Sequence, residues 1–64
     1  MTTDQVTSKF DKLSNAKKVE VLFDAIDYMQ QYNGRTISTC ICLAMGYEGN
    51  YDKNDNFVWK KPKN

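Results

Sequence analysis

Glu20, Asp24 and Asp27 stand at i, i+4 and i+7, the spacing that lines three carboxylates along one side of a helix. Carboxylates so placed do acid–base or metal chemistry when apolar surroundings raise a pKa or a second ligand type joins them. Here Gln31 merely continues the stripe, and the chain has no His. The expectation is a solvated helix face. Cys40 and Cys42 are the only thiols. A nucleophilic thiol needs a partner to ionise it, and no imidazole is available for that. Two Cys without His also fall short of a single-chain zinc site. Asp52-Lys53-Asn54-Asp55-Asn56 sets oxygen ligands in a row but lacks the Gly and the closing Glu of a calcium loop. Gly34, Gly46 and Gly49 are too widely spaced for a phosphate-cradling loop. The sequence therefore predicts no enzyme, no catalytic residue, no metal and no cofactor.

Sixty-four residues, 41% of them hydrophobic and 27% charged, describe one small globular domain over 1–64. A chain this short buries only about 60% of the surface that its unfolded form exposes, so stability is expected to be marginal. Nine basic against eight acidic residues leave a net charge of +1, which excludes both a histone-like polycation and an acidic nucleic-acid mimic. Met1-Thr2-Thr3-Asp4-Gln5 offers no positive n-region with an apolar run behind it. The longest uncharged apolar stretch, Ile41 to Met45, is far too short for a membrane span. Cys40 and Cys42, two apart, would point about 200° away from each other on a helix and could not bond; on a strand their ring would be strained. Reduced thiols and a cytoplasmic location are the expectation, with Cys40 buried and Cys42 the more accessible.

Positioning these side chains falls to a few elements. Val6, Phe10 and Leu13 repeat along one helical face, with Thr2 or Thr3 as cap and Gln5 three residues after Thr2. Asn15 to Tyr32 runs without Gly or Pro, begins after the good N-cap Ser14, and is closed by Asn33-Gly34. On this second helix Val19, Leu22, Phe23, Ile26 and Met29 form a tight apolar stripe, taken as its core face. Val21, Ala25, Tyr28 and Tyr32 form a second apolar stripe at i, i+4, i+7 and i+11. Thr36 to Leu43 alternates like a strand, yet Ile37, Cys40, Ile41, Ala44 and Met45 also fit the helical period. Leu43-Ala44-Met45 and Gly46 favour a helix over about 36–45, capped by Thr36 or Ser38. Tyr51 and Phe57-Val58-Trp59 flank turn residues, which predicts a β-hairpin or an extended flap. Lys60, Lys61 and Lys63 make 60–64 a basic tail. The fold class is mainly α: three helices and a C-terminal hairpin or flap.

Two functional readings follow. Residues 14–61 resemble winged-helix DNA binders in order: a long helix, a turn at Asn33-Gly34, a short helix and a hairpin as wing. That resemblance implies nucleic-acid contacts at Arg35, Lys53, Lys60, Lys61 and Lys63. The would-be recognition helix, however, presents Ser38, Thr39 and Cys42, and base readout usually needs Arg, Lys, Asn or Gln there. The other reading rests on surplus apolar surface. With Val19, Leu22, Phe23 and Ile26 assigned to the core, Val21, Ala25, Tyr28 and Tyr32 are left for a partner, flanked by Trp59. In its shortness, near-neutral charge and abundance of Lys, Asn, Asp and Tyr, the chain also resembles the accessory proteins of tailed bacteriophages. This resemblance implies a protein that binds and inhibits or modulates a bacterial host protein or complex, in transcription, restriction or another defence. The leading expectation is thus a non-enzymatic protein-binding module, with self-association as a homodimer also open. The alternative is a small winged-helix or helix-turn-helix DNA-binding regulator. No membrane partner is expected.

Overall fold

A computed structural model describes residues 1–31 and 33–61. Three helices are followed by an antiparallel hairpin: α1 (Thr3–Asp11), α2 (Asn15–Gln31), α3 (Ile37–Ala44), β1 (Glu48–Tyr51) and β2 (Phe57–Lys60). The expected mainly α fold with a C-terminal hairpin is the fold observed.

Local chemistry sets the boundaries. Thr2 caps α1 in a full capping box: its hydroxyl accepts from the Gln5 amide, and the Gln5 side chain accepts from the Thr2 amide at 2.8 Å. Ser14 Oγ accepts from the Lys17 amide at 3.2 Å and starts α2. Gly34, at φ +88°, turns the chain after α2. Thr36 caps α3 through the Thr39 amide at 3.3 Å, and Gly46, at φ +91°, ends it. The stretch that reads equally as strand is therefore helix, held by its cap and its glycine. In the hairpin, Glu48, Gly49, Asn50 and Tyr51 face Lys60, Trp59, Val58 and Phe57 in turn. Asp52 Oδ1 accepts from the amides of Asn54 and Asn56, at 2.8 and 3.0 Å, and holds the loop closed.

The main core is Val6 of α1, Cys42 of α3, Tyr47 and Trp59, with Leu43 and Met45 packed against it. No α2 residue belongs to it. α2 packs chiefly on the opposite side of α3, so α3 lies between α2 and the α1–hairpin unit. This corrects the thiol expectation: Cys40 and Cys42 are both fully buried. Residues two apart on a helix face opposite ways, and both sides of α3 are covered.

The faces of α2 are the larger correction. Val21 and Ala25 are 4% and 0% exposed, whereas Phe23, Val19 and Ile26 are 66%, 51% and 48% exposed. Leu22 and Met29 are exposed as well. The stripe assigned to the core lies outside, and of the one assigned to a partner Val21 and Ala25 lie inside and Tyr28 is half-buried. The physical reason is the short reach of α3: eight residues, about 12 Å, can cover one line of a 17-residue helix but not two. The line it covers is the one that holds the buried Val21 and Ala25.

Candidate partner-binding face

Helical geometry divides α2 into three sides roughly 120° apart. Val21 and Ala25 face α3, with Tyr28 half-buried beside them. Glu20, Asp24 and Asp27 form the acidic side, all exposed. Val19, Leu22, Phe23, Ile26 and Met29 form the third side, which no other described element covers. Among the described residues, Val19, Leu22, Phe23 and Ile26 line a shallow hollow of about 210 Å³. Positions 19, 22, 26 and 29 are spaced three, four and three apart, the seam spacing of helices that pack lengthwise on other helices.

An open groove of about 590 Å³ runs beside this side, between α2 and the end of α3. Phe23, Glu20 and Asp24 line it together with Ala44 and Met45, and Lys17 and Lys61 sit at the same end. Lys17 Nζ lies 3.3 Å from Glu20 Oε2, an exposed pair that contributes little to stability. Farther along α2 the groove continues as a second hollow of about 370 Å³, lined by Asp24, Asp27, Tyr28, Gln31 and Ala44. Among the described residues, that section carries two carboxylates and no cation. Phe23 is the ridge between the apolar hollow and the acidic groove.

The structure separates the residues that sequence reasoning grouped as one contact patch. Val21, Ala25 and Trp59 are buried, and so belong to packing. Tyr32 lies outside the described residues. The exposed seam was missed as a surface because its apolar content reads as core. Its heptad-like spacing was the available signal, since a seam of that kind faces another helix and α3 already occupies the neighbouring side.

The basic positions are dispersed. Arg35 is at the turn before α3, Lys53 at the hairpin tip, and Lys60 faces Glu48 across the sheet. The Lys61 ammonium lies 5.8 Å from the Tyr47 ring centre and lines the groove with Glu20 and Asp24. Lys63 lies outside the described residues. α3 itself, Ile37–Ala44, contains no Arg, Lys, Asn or Gln.

The thiols are poor chemistry. Burial pushes the Cys42 thiol above its ordinary value of 9.0, partly offset by a backbone hydrogen bond. Among the described residues, no group of three His, Cys, Asp or Glu side chains is placed to hold a metal ion, and no helix is long and apolar enough to cross a membrane. No family model, curated protein or solved structure matches the chain.

Proposed function

We propose that the chain is a non-enzymatic protein-binding module acting through the exposed apolar side of α2. The observation that carries this reading is the unbroken strip of Val19, Leu22, Phe23, Ile26 and Met29, exposed on the longest helix of a very small domain. Contiguous apolar surface of this kind is costly to leave in water and marks contact surfaces on small soluble domains. An aromatic ring at its middle, Phe23, suits the centre of an interface. A bacterial host protein or complex is the partner that the resemblance to phage accessory proteins implies.

Duplex binding has less support. α3 lacks the side chains that read base edges. Lys60 faces Glu48 across the hairpin and the Lys61 ammonium lies over the Tyr47 ring, away from Arg35 and Lys53 in sequence, so these cations do not form the concentrated charge that phosphate attraction needs.

The test is a pull-down from bacterial lysate, with and without nuclease, using the wild-type chain and Ile26→Asp. The expected result is a retained protein that resists nuclease and is lost with Ile26→Asp, while circular dichroism shows both chains folded. Retention abolished by nuclease, or unchanged by Ile26→Asp, would overturn the reading.

A further inference from the structure

Resting on that reading, we infer that the occupant of the α2 face is an amphipathic helix of the partner whose apolar side is bordered by Lys or Arg. Its apolar side covers the Val19–Met29 seam, and its cations reach over Phe23 to Asp24 and Asp27.

Three features converge on this occupant. The seam spacing at 19, 22, 26 and 29 fits knobs from a second helix over about three turns. The backbone groups along the middle of α2 are already consumed within the helix, so the strip offers apolar surface and no backbone partners. An extended peptide laid there would leave its own amides unpaired against hydrocarbon, whereas a helix brings its backbone satisfied. Charge then sets the sign of the border. Beyond Phe23 lie Asp24 and Asp27, exposed and, among the described residues, without an ion-pair partner. A Lys or Arg stem can pack along the Phe23 ring while its head reaches those carboxylates.

A second copy of the chain is a poorer match. α2 carries Lys17 and Lys18 against Glu20, Asp24 and Asp27, a net −1 on each copy (two minus three), and Lys17 is already paired with Glu20. An anionic membrane is poorer still, because the acidic side borders the apolar strip where a surface-binding helix carries Lys and Arg.

The probes are two synthetic helical peptides of about 18 residues with the same Leu/Ile side, one bordered by Lys and the other by Glu. Binding to the full chain is measured by calorimetry, and self-association by sedimentation. The Lys peptide is expected to bind at least about ten-fold more tightly at low salt, the size of two partly screened charge pairs. The difference should shrink at about 0.5 M NaCl. It should vanish in the folded double variant Asp24→Asn, Asp27→Asn. Equal affinity of the two peptides would overturn the charged-border inference and leave the protein-binding reading standing. A stable dimer that Ile26→Asp dissolves would assign the face to a second copy instead. Binding of the chain to phosphatidylglycerol vesicles would assign it to a membrane and overturn both. A monomeric chain that binds neither peptide would count against both.

Discussion

The Trp59 indole Nε1–H donates to Thr3 Oγ1 at 2.9 Å, joining the last strand to the first turn of the first helix across almost the whole chain. The same residue exchanges two main-chain hydrogen bonds with Met1. Its amide donates to the Met1 carbonyl at 2.6 Å, and the Met1 ammonium donates to its carbonyl at 2.8 Å. With the ring 1% exposed among Val6, Cys42 and Tyr47, Trp59 is what holds the hairpin against the helices. A lone two-stranded hairpin is at best marginal in water, so this one depends on that packing.

Removing the ring should therefore unfold more than the hairpin. Trp59→Ala is expected to cost about 3–5 kcal/mol, a large share of what a domain this size has. Trp59→Phe retains most of the buried area but loses the donor to Thr3, and should cost about 1–2 kcal/mol. Urea unfolding followed by circular dichroism separates the two. A Trp59→Ala chain as stable as the parent would show that the hairpin is dispensable to the core.

The two sides of α2 make opposite predictions about stability. Phe23→Ser alters an exposed ring and should change unfolding free energy by less than about 0.5 kcal/mol. Ala25→Leu adds bulk at a fully buried position of α2, and overpacking of that kind costs about 1–3 kcal/mol. Sequence hydrophobicity alone predicts the reverse order, so thermal melts of these two variants decide between the assignments.

That reversal shows which parts of this structure are local. Thr2 with Gln5, Ser14, Thr36, Gly34 and Gly46 act within a few residues of themselves, so caps and stops were legible locally, with Thr2 or Thr3 and Thr36 or Ser38 left as alternatives that the structure resolves to Thr2 and Thr36. The hairpin was readable because turn residues separate Tyr51 from Phe57. Which side of α2 faces inward is decided by what comes to lie against it, and α3 carries no label for that. The greasiest stripe, with Phe23 at its centre, looks like a core when the helix is considered alone. Ala25 was the counter-signal, because a small residue amid Val21 and Tyr28 marks a close helix crossing. Trp59 was misassigned for the same non-local reason: its partners, Thr3 and Val6, are more than fifty residues away in sequence.

Burial of Cys42 links stability to alkaline pH. The folded state holds this thiol neutral to higher pH than the unfolded state, whose thiol ionises near 9.0. Above that value the unfolded chain releases a proton that the folded chain keeps, so stability present at neutral pH is lost as pH rises. Denaturant midpoints between about pH 8 and 10.5 should fall more steeply for the wild type than for Cys42→Ala. Parallel slopes would show that Cys42 ionises alike in both states. Native-state alkylation should be slow at both thiols, since neither is accessible.

Gly49 is required for steric rather than conformational reasons. It faces Trp59 in the sheet register, and the Phe57 ring lies across the place where a β-carbon would stand, with Trp59 beside it. Its φ is not in the left-handed region, unlike those of Gly34 and Gly46, so alanine is acceptable to the backbone and fails only on contact. The ring pair also rests on this gap: Phe57 and Trp59 meet edge to face with centroids 5.1 Å apart, and Tyr51 meets Phe57 likewise at 5.4 Å. Gly49→Ala must displace Phe57, loosening both contacts, each worth about 0.5–1.5 kcal/mol. The expected loss is about 1–2 kcal/mol of stability. The combination Gly49→Ala, Phe57→Ala removes the obstructing ring, so it should cost less than the sum of the two single changes. Additive losses in that cycle would show that Phe57 does not occupy the space over Gly49.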